Sequence, residues 1–392
     1  TCIVAVVRVS AQTVQYFHNK TTDILYIDFK KAFDSVSHPK LVSKLMSYGV
    51  CGDLLDWLKA FLTNRTQAVK ISNCLSTNIT ITSGVPQGSV LGPTLFLLFI
   101  NDIAEVVTDL NVKLKLFADD VKLYSSVGIN SSTDLVDACE KLSIWAETWQ
   151  LKIASEKCFV HRLANQPFCA KIVQCPYVLD GNPLKWSTET RDLGVIIDPK
   201  LNFNKHVDVI VHKAHIRARL ILRSFTSRNS AILTKAFTTY VRPMLEYCIP
   251  VWSSHTINNI NKIEAVQRRF TKRITGLSTV SYLDRLLYLG LESLELRRLR
   301  YDLVMCFVIC HGNTAIEANG LFLFPCSSVT RGHKFKLSKQ PARVNARKFC
   351  FANRVFTPWN DLPEFVVEAP NIIVFKNRLK TVNLQPYCKY SL

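Results

Sequence analysis

The chain has 392 residues, 48% apolar and 20% charged, which suits two or three packed domains and excludes general disorder. Lys and Arg outnumber Asp and Glu by 49 to 30, a formal charge of +19 that calls for a polyanionic partner, either nucleic acid or an acidic membrane surface. Apolar runs such as Leu95 to Ile100 fall far short of the roughly 18 residues of a membrane span, so an integral membrane protein is not expected.

In chain order, Asp23 to Asp28 (DILYID) predicts a short buried strand, followed by a helical or turn segment, FKKAFDSVSH. Pro39 to Tyr48 and Gly52 to Thr63 have helical periodicity, and Ala68 to Asn73 and Thr77 to Thr82 alternate as pairing strands do. The loop signal Ser83-Gly84-Val85-Pro86-Gln87-Gly88-Ser89 leads into an apolar helix over Val90 to Val107, with Pro93 in its first turn. Val112 to Phe117 and Val121 to Ser125 flank Ala118-Asp119-Asp120, a hairpin with two acids at its bend. Thr133 to Gln150 predicts a long amphipathic helix with Trp145 and Trp149 one turn apart, and Asp192 to Asp198 another short strand.

From Asn204 the pattern changes to amphipathic helices at about 204–225, 229–241, 257–276 and 292–311. Beyond Gly320 it weakens to short strands, turns and a last helix near Asn371 to Thr381. The charge changes with it. Residues 1–204 hold 20 basic and 19 acidic side chains, residues 205–305 hold 17 and 7, and residues 306–392 hold 12 and 4. The C-terminal half is thus suited to gripping phosphates, with Arg217, Arg219 and Arg223, then Arg268, Arg269, Lys272 and Arg273, at helical spacings. Solvated helix faces are the plainer reading of the same residues.

Thirteen scattered cysteines, an odd number, favour buried thiols in a reducing intracellular compartment, cytoplasm or nucleus, over a disulfide framework. Cys306, Cys310 and His311 cluster, but no second ligand pair follows to complete a zinc site.

Asp119 and Asp120 lie between apolar strand residues, where like charges repel unless a cation compensates them, and Asp28 ends another apolar strand. Were the strands neighbours, three carboxylates would offer the oxygen ligands that suit a hard ion such as magnesium; a solvated Asp-rich turn is the alternative.

At these segments the sequence resembles the reverse transcriptases of non-LTR, LINE-type, jockey-like retrotransposons. YIDFKKAFDSVSH, SGVPQGSVLGPTLFLLFINDI and FADD occur in the family's order and separations. The resemblance implies an α+β fold. Residues 1–200 would be a fingers remnant and a right-hand polymerase palm, an antiparallel sheet with helices. Residues 201–312 would be a basic helical thumb that includes VRPMLEYCIPVW, and residues 313–392 a small mixed C-terminal segment of unassigned role, including FTPWNDLP.

Carried over, Asp28, Asp119 and Asp120 match metal ligands for two Mg2+ ions, with Mn2+ a substitute. Lys157 matches a lysine that neutralises or protonates the departing pyrophosphate. Phe33 would lie beneath the sugar of the incoming nucleotide and exclude a 2′-hydroxyl, and Pro86, Gln87, Gly88 and Ser89 would contact that nucleotide. Leu193 and Gly194 match a hairpin that holds the primer end, and Arg217, Arg268, Arg269, Lys272 and Arg273 would meet the nucleic-acid backbone. Asp34, in the same first motif, is not counted as a ligand.

The implied activity is RNA-directed DNA polymerisation, with an RNA template, a DNA primer and deoxynucleoside triphosphates as partners and no membrane; oligomeric state is not set. Only Arg8 and Lys20 are basic ahead of the first strand, where the family carries nucleotide-binding fingers, and the chain begins at Thr1 rather than Met. A truncated, weakly active or inactive polymerase is therefore expected, and a nucleic-acid-binding remnant is the second reading.

Overall fold

The computed structural model describes residues 21–127, 133–164, 177–325 and 332–390; the fingers remnant expected ahead of the first strand, with Arg8 and Lys20, lies outside them. The chain divides into two compact units, Lys20–Thr188 and Glu189–Leu392. Both mix or stack elements as an α+β reading requires. Among the described residues no helix is long and apolar enough to cross a membrane.

The first unit is built on β1 (Thr21–Ile27), whose Ile24, Leu25 and Ile27 are buried. The chain then makes a single 3-10 turn at Ala32–Asp34 before α1 (His38–Ser47), α2 (Gly52–Leu62) and α3 (Leu91–Ile100). Next come β2 (Lys113–Phe117), β3 (Asp120–Val127), α4 (Thr133–Trp149), β4 (Phe159–Leu163) and β5 (Lys185–Ser187). The sheet order is β5-β4-β1-β3-β2; β1 is antiparallel to both neighbours, and only β5 runs parallel to its partner β4.

The strands expected at 68–73 and 77–82 are instead two nested two-residue ladders, Thr66–Gln67 with Ile79–Thr80 and Lys70–Ile71 with Cys74–Leu75. All of these residues are exposed, so no buried face extends the pairing. The apolar helix expected through Val107 ends at Ile100 and tightens into 3-10 turns over Asn101–Val107. There Asp102 meets Lys44 Nζ at 2.5 Å. That ammonium is buried and lies 3.6 Å over the Trp149 ring, and desolvation lowers its pKa from the ordinary lysine value.

A second buried charge is fully compensated. Asp23 of β1 faces Arg162 across the β1–β4 register and accepts two guanidinium bonds, at 2.6 and 2.7 Å, plus one from the Tyr177 hydroxyl at 2.8 Å.

The loop before α3 is pinned to the turn after β1. Gly84 N–H donates to Val36 O at 2.7 Å and Val85 N–H to Phe33 O at 2.9 Å. A Cβ on Gly84 would stand 2.8 Å from the Cα and carbonyl oxygen of Asp34, and its φ is +87°. Only glycine meets both conditions without moving backbone.

In the second unit the strand expected over Asp192–Asp198 is broken into a hairpin, β6 (Thr190–Asp192) and β7 (Val195–Ile197). The helices follow: α5 (Asn204–Ser224), α6 (Ser230–Tyr240), α7 (Ile257–Lys272), α8 (Tyr282–Leu289) and α9 (Leu294–Cys310). Short helical turns at Arg242–Glu246 and Ile249–Trp252, and α8 itself, were not signalled by periodicity. Phe237, Trp252 and Phe270 anchor the core between α5, α6 and α7.

Beyond Gly320 the expected short strands are absent among the described residues apart from one bridge, Leu323 with Ser338. In their place stands chiefly α10 (Phe351–Asn360), and the helix expected near Asn371 to Thr381 appears as α11 (Ile372–Leu379). Phe351, Ala352, Val355 and Trp359 recur at helical spacing and bury against Leu303 and Phe307 of α9, which overrides the breaking tendency of Pro358. Arg354 of α10 ties the segment down, donating to both carboxylate oxygens of Asp302 at 2.8 and 2.9 Å and to Pro250 O at 2.7 Å. Cys306 and Cys310 stand 3.9 Å apart, while His311 stacks on Phe307 and bonds Val367 O, so the cluster serves packing.

Two tests follow from this packing. Gly84→Ala is expected to destabilise by about 2 kcal/mol or more, read as a lower urea midpoint. Gly88→Ala, also at positive φ but with open space around it, should cost only about 1 kcal/mol. Equal losses would refute the close-approach argument.

The second test concerns His206, buried in α5 with Nδ1 accepting the Ile196 N–H at 3.2 Å. Burial, with Arg191 and Lys213 adding repulsion, pushes it down to about 4 from an ordinary 6.5. Between those values the unfolded chain binds the extra proton, so stability is fully present above 6.5 and is lost as pH falls toward 4. His206→Gln should flatten this acid branch of an unfolding titration; an unaltered branch would show that other groups cause it.

Candidate active site

Asp28 follows the last paired residue of β1 and is fixed by its main chain. Its N–H donates to Cys158 Sγ at 3.4 Å and its carbonyl accepts from Ala154 N–H at 2.8 Å. Burial pushes the Cys158 thiol up to about 11, so it stays protonated, and its S–H donates to Ala154 O at 3.3 Å. The Asp28 side chain is 35% exposed, and its Oδ2 lies 3.3 Å from Lys157 Nζ, on the loop between α4 and β4.

The acidic pair forms the bend of the β2–β3 hairpin. Phe117 pairs with Asp120, and Ala118 takes a φ of +52°, which turns the chain within two residues. Across β1 the register puts Ile27 opposite Val121, so the next residues along, Asp28 and Asp120, end neighbouring strands. Asp119 is half-buried at the bend and Asp120 exposed. The backbone thus brings the three aspartates to one end of the sheet. Their side chains do not close into a cage: among the described residues no group of three or more His, Cys, Asp and Glu stands ready to hold a metal.

The donor set nevertheless fits a hard divalent ion. It is all carboxylate oxygen, partly open to solvent, and the Lys157 ammonium already rests against one member.

The second motif is organised around Asp34, which is not among the expected ligands. Gln87 Nε2 donates to Asp34 Oδ1 at 2.7 Å, and Ser83 Oγ donates to Asp34 O at 2.9 Å. The Ser89 hydroxyl donates to Pro86 O at 2.7 Å and accepts Gly92 N–H at 2.9 Å, shaping the loop where α3 begins. Gly92 is required there, since a Cβ would approach Pro86 O to 2.4 Å. Gly88 has open space around it. Phe33 is half-buried and stacks on Phe96 of α3 with centroids 4.2 Å apart. The pattern AFD followed by SGVPQG was the available signal, but the Asp34–Gln87 bond spans 53 positions and no local period encodes it.

In the second unit, Leu193 (φ +43°) and Gly194 (φ +90°) form the two-residue turn of the β6–β7 hairpin. Arg217, Arg219 and Arg223 on α5, with Arg268, Arg269, Lys272 and Arg273 at the end of α7, are exposed. The two helices are bridged by Lys262 and Asp208 at 2.6 Å. His215 of α5 is held below its usual value by burial and then by the charges of Arg269, Arg219 and His212, which places cations of both helices around one patch. Arg268 is partly spent elsewhere, donating to the Tyr390 hydroxyl at 2.9 Å.

Residues 8–197 match the family described as reverse transcriptase (RNA-dependent DNA polymerase). The chain is 33% identical over 262 residues to the RNA-directed DNA polymerase from mobile element jockey of Drosophila funebris, covering 64% of this chain and 28% of that protein. It is 30% identical over 283 residues to the probable RNA-directed DNA polymerase from transposon X-element of Drosophila melanogaster, covering 69% and 30%. The chain therefore spans under a third of the length of these relatives. Among solved structures, telomerase from Candida tropicalis in complex with a fragment of telomeric RNA is similar at a TM-score of 0.41 and 11% identity, over 76% of this chain and 45% of that one. Residues 8–197, which contain Asp28, the Pro86–Ser89 loop and the Asp119–Asp120 bend, thus match the reverse transcriptase family, and the chain is similar to RNA-directed DNA polymerases of transposable elements.

Proposed function

We propose that this chain is the palm and thumb portion of a non-LTR retroelement polymerase, which extends a DNA 3′-hydroxyl along an RNA template with deoxynucleoside triphosphates. The observation that carries the reading is the Ile27–Val121 register, which sets Asp28 beside the Asp119–Asp120 bend inside a segment of that family. In this reading the palm occupies residues up to about 200 and the basic thumb residues 201–312.

The three carboxylates would hold two divalent ions, which supply activation of the attacking hydroxyl and stabilisation of the leaving oxygen. The remaining roles belong to side chains. Lys157 would give a proton to the departing pyrophosphate, a role supported by its ion pair with Asp28. The Asp34–Gln87 bond orients the loop so that Gln87 and the open face at Gly88 meet the nucleotide, while Pro86 and Ser89 hold the loop's shape. Phe33, braced by Phe96, offers a fixed ring against a ribose 2′-hydroxyl. Leu193 and Gly194 would hold the primer end, and Arg217, Arg269, Lys272 and Arg273, with Arg268 in a lesser role, would take phosphates of the hybrid.

Primer extension on poly(rA)/oligo(dT) tests the site. Asp119→Ala and Asp120→Ala are each expected to lower incorporation by a factor on the order of hundreds. Incorporation indifferent to both would refute the assignment, and a wild-type chain that binds RNA without extending would favour the binding-remnant reading. For the thumb, Arg269→Ala with Lys272→Ala should weaken hybrid binding alike across sequences. The slope of log affinity against log salt should flatten by about 1 for each phosphate that is no longer neutralised. Sequence-selective weakening would point to base reading instead.

A further inference from the structure

The VRPMLEYCIPVW stretch has no role in the site so far described, yet it reaches the β6–β7 turn. A two-residue hairpin turn with both φ values positive normally carries Asn or Asp followed by Gly. Here its first position is Leu193, which resists the left-handed region, so something outside the turn must hold it.

Tyr247 supplies that hold in two ways. Its hydroxyl donates to Leu193 O at 2.9 Å. Its ring lies under Gly194, where a Cβ would come within 3.2 Å of Tyr247 Cε1. Tyr247 is itself fixed, since the Trp252 indole N–H donates to its carbonyl at 2.6 Å and Trp252 is almost completely buried. The same indole packs edge-on to the His206 ring at 5.0 Å, and His206 in turn accepts the Ile196 N–H of β7. Two arms from one buried tryptophan therefore grip the hairpin, one at its turn and one along its second strand.

We propose that Tyr247 is a positioning residue that sets the Leu193–Gly194 turn for the primer 3′ end. The proposal rests on the assignment of that turn to the primer. Tyr247 touches no reacting atom; it acts through the turn. The residue is 38% exposed, so its hydroxyl can be removed without opening the core.

The experiment uses the full chain as wild type, Tyr247→Phe and Arg269→Ala. Hydrogen exchange is measured over residues 190–197. Binding by anisotropy is compared for a DNA primer on RNA with a recessed 3′ end and for a blunt hybrid of equal length. Loss of the one hydrogen bond in Tyr247→Phe should speed exchange at the turn and reduce the preference for the recessed end, each by roughly three- to tenfold. Arg269→Ala should weaken both hybrids together and leave the preference intact. Wild-type exchange in Tyr247→Phe overturns the proposal, and so does faster exchange with an unaltered end preference, which is what a merely structural tyrosine would give. If wild type itself ignores the recessed end, the primer assignment falls and the proposal with it, while the exchange data still show whether Tyr247 holds the turn.

Discussion

One antiparallel register governs the rest of the first unit's chemistry. Because Ile27 faces Val121, the carboxylate that ends β1 and those that bend the β2–β3 hairpin share one end of the sheet. A slip of a single residue would turn every side chain of the shifted strand to the opposite face, carrying its acid toward the layer that now holds Leu25 and Leu123. The buried Asp23–Arg162 pair guards against such a slip, since shifting β1 against β4 would leave two opposite charges unpaired in the interior. Conformational specificity and site geometry are therefore secured by the same strand.

The loop before α3 is a second constraint of the same kind. Gly84 and Gly92 permit backbone approaches that no other residue would tolerate, and these lock the loop to the turn carrying Asp34. The hydrogen bond from Gln87 then spans two motifs that are remote in sequence, so a ligand touching one would feel the other.

How much of this could be read from the residues differs by element. β1, the hairpin with acids at its bend, and the helices at 38–47, 52–62 and 133–149 follow from local periodicity and turn chemistry, and they appear where expected. The α+β class and the family were legible from three long motifs. What escaped depends on distant partners. Asp34 looks like an ordinary turn acid until Gln87 reaches it, and the loop bonds that Ser89 makes to Pro86 and Gly92 are not visible in its local pattern. The last helix, expected near Asn371 to Thr381, appears as α11, whereas α10 escaped because proline and short apolar groups mimic turns and strands, and only the surface of α9 reveals that Phe351, Val355 and Trp359 form one face.

That last surface has a wider meaning. α9 turns Leu294 toward the helices before it and Leu303, Phe307 and Ile309 toward the helices after it, so it is a party wall between two cores. Arg354 bolts the later core to the turn at Ile249–Pro250, next to the tryptophan that steadies the β6–β7 hairpin. A shortened polypeptide ending soon after α9 would not be a tidier enzyme but a molecule with an apolar wall left open to water, prone to clump and slack at the hairpin.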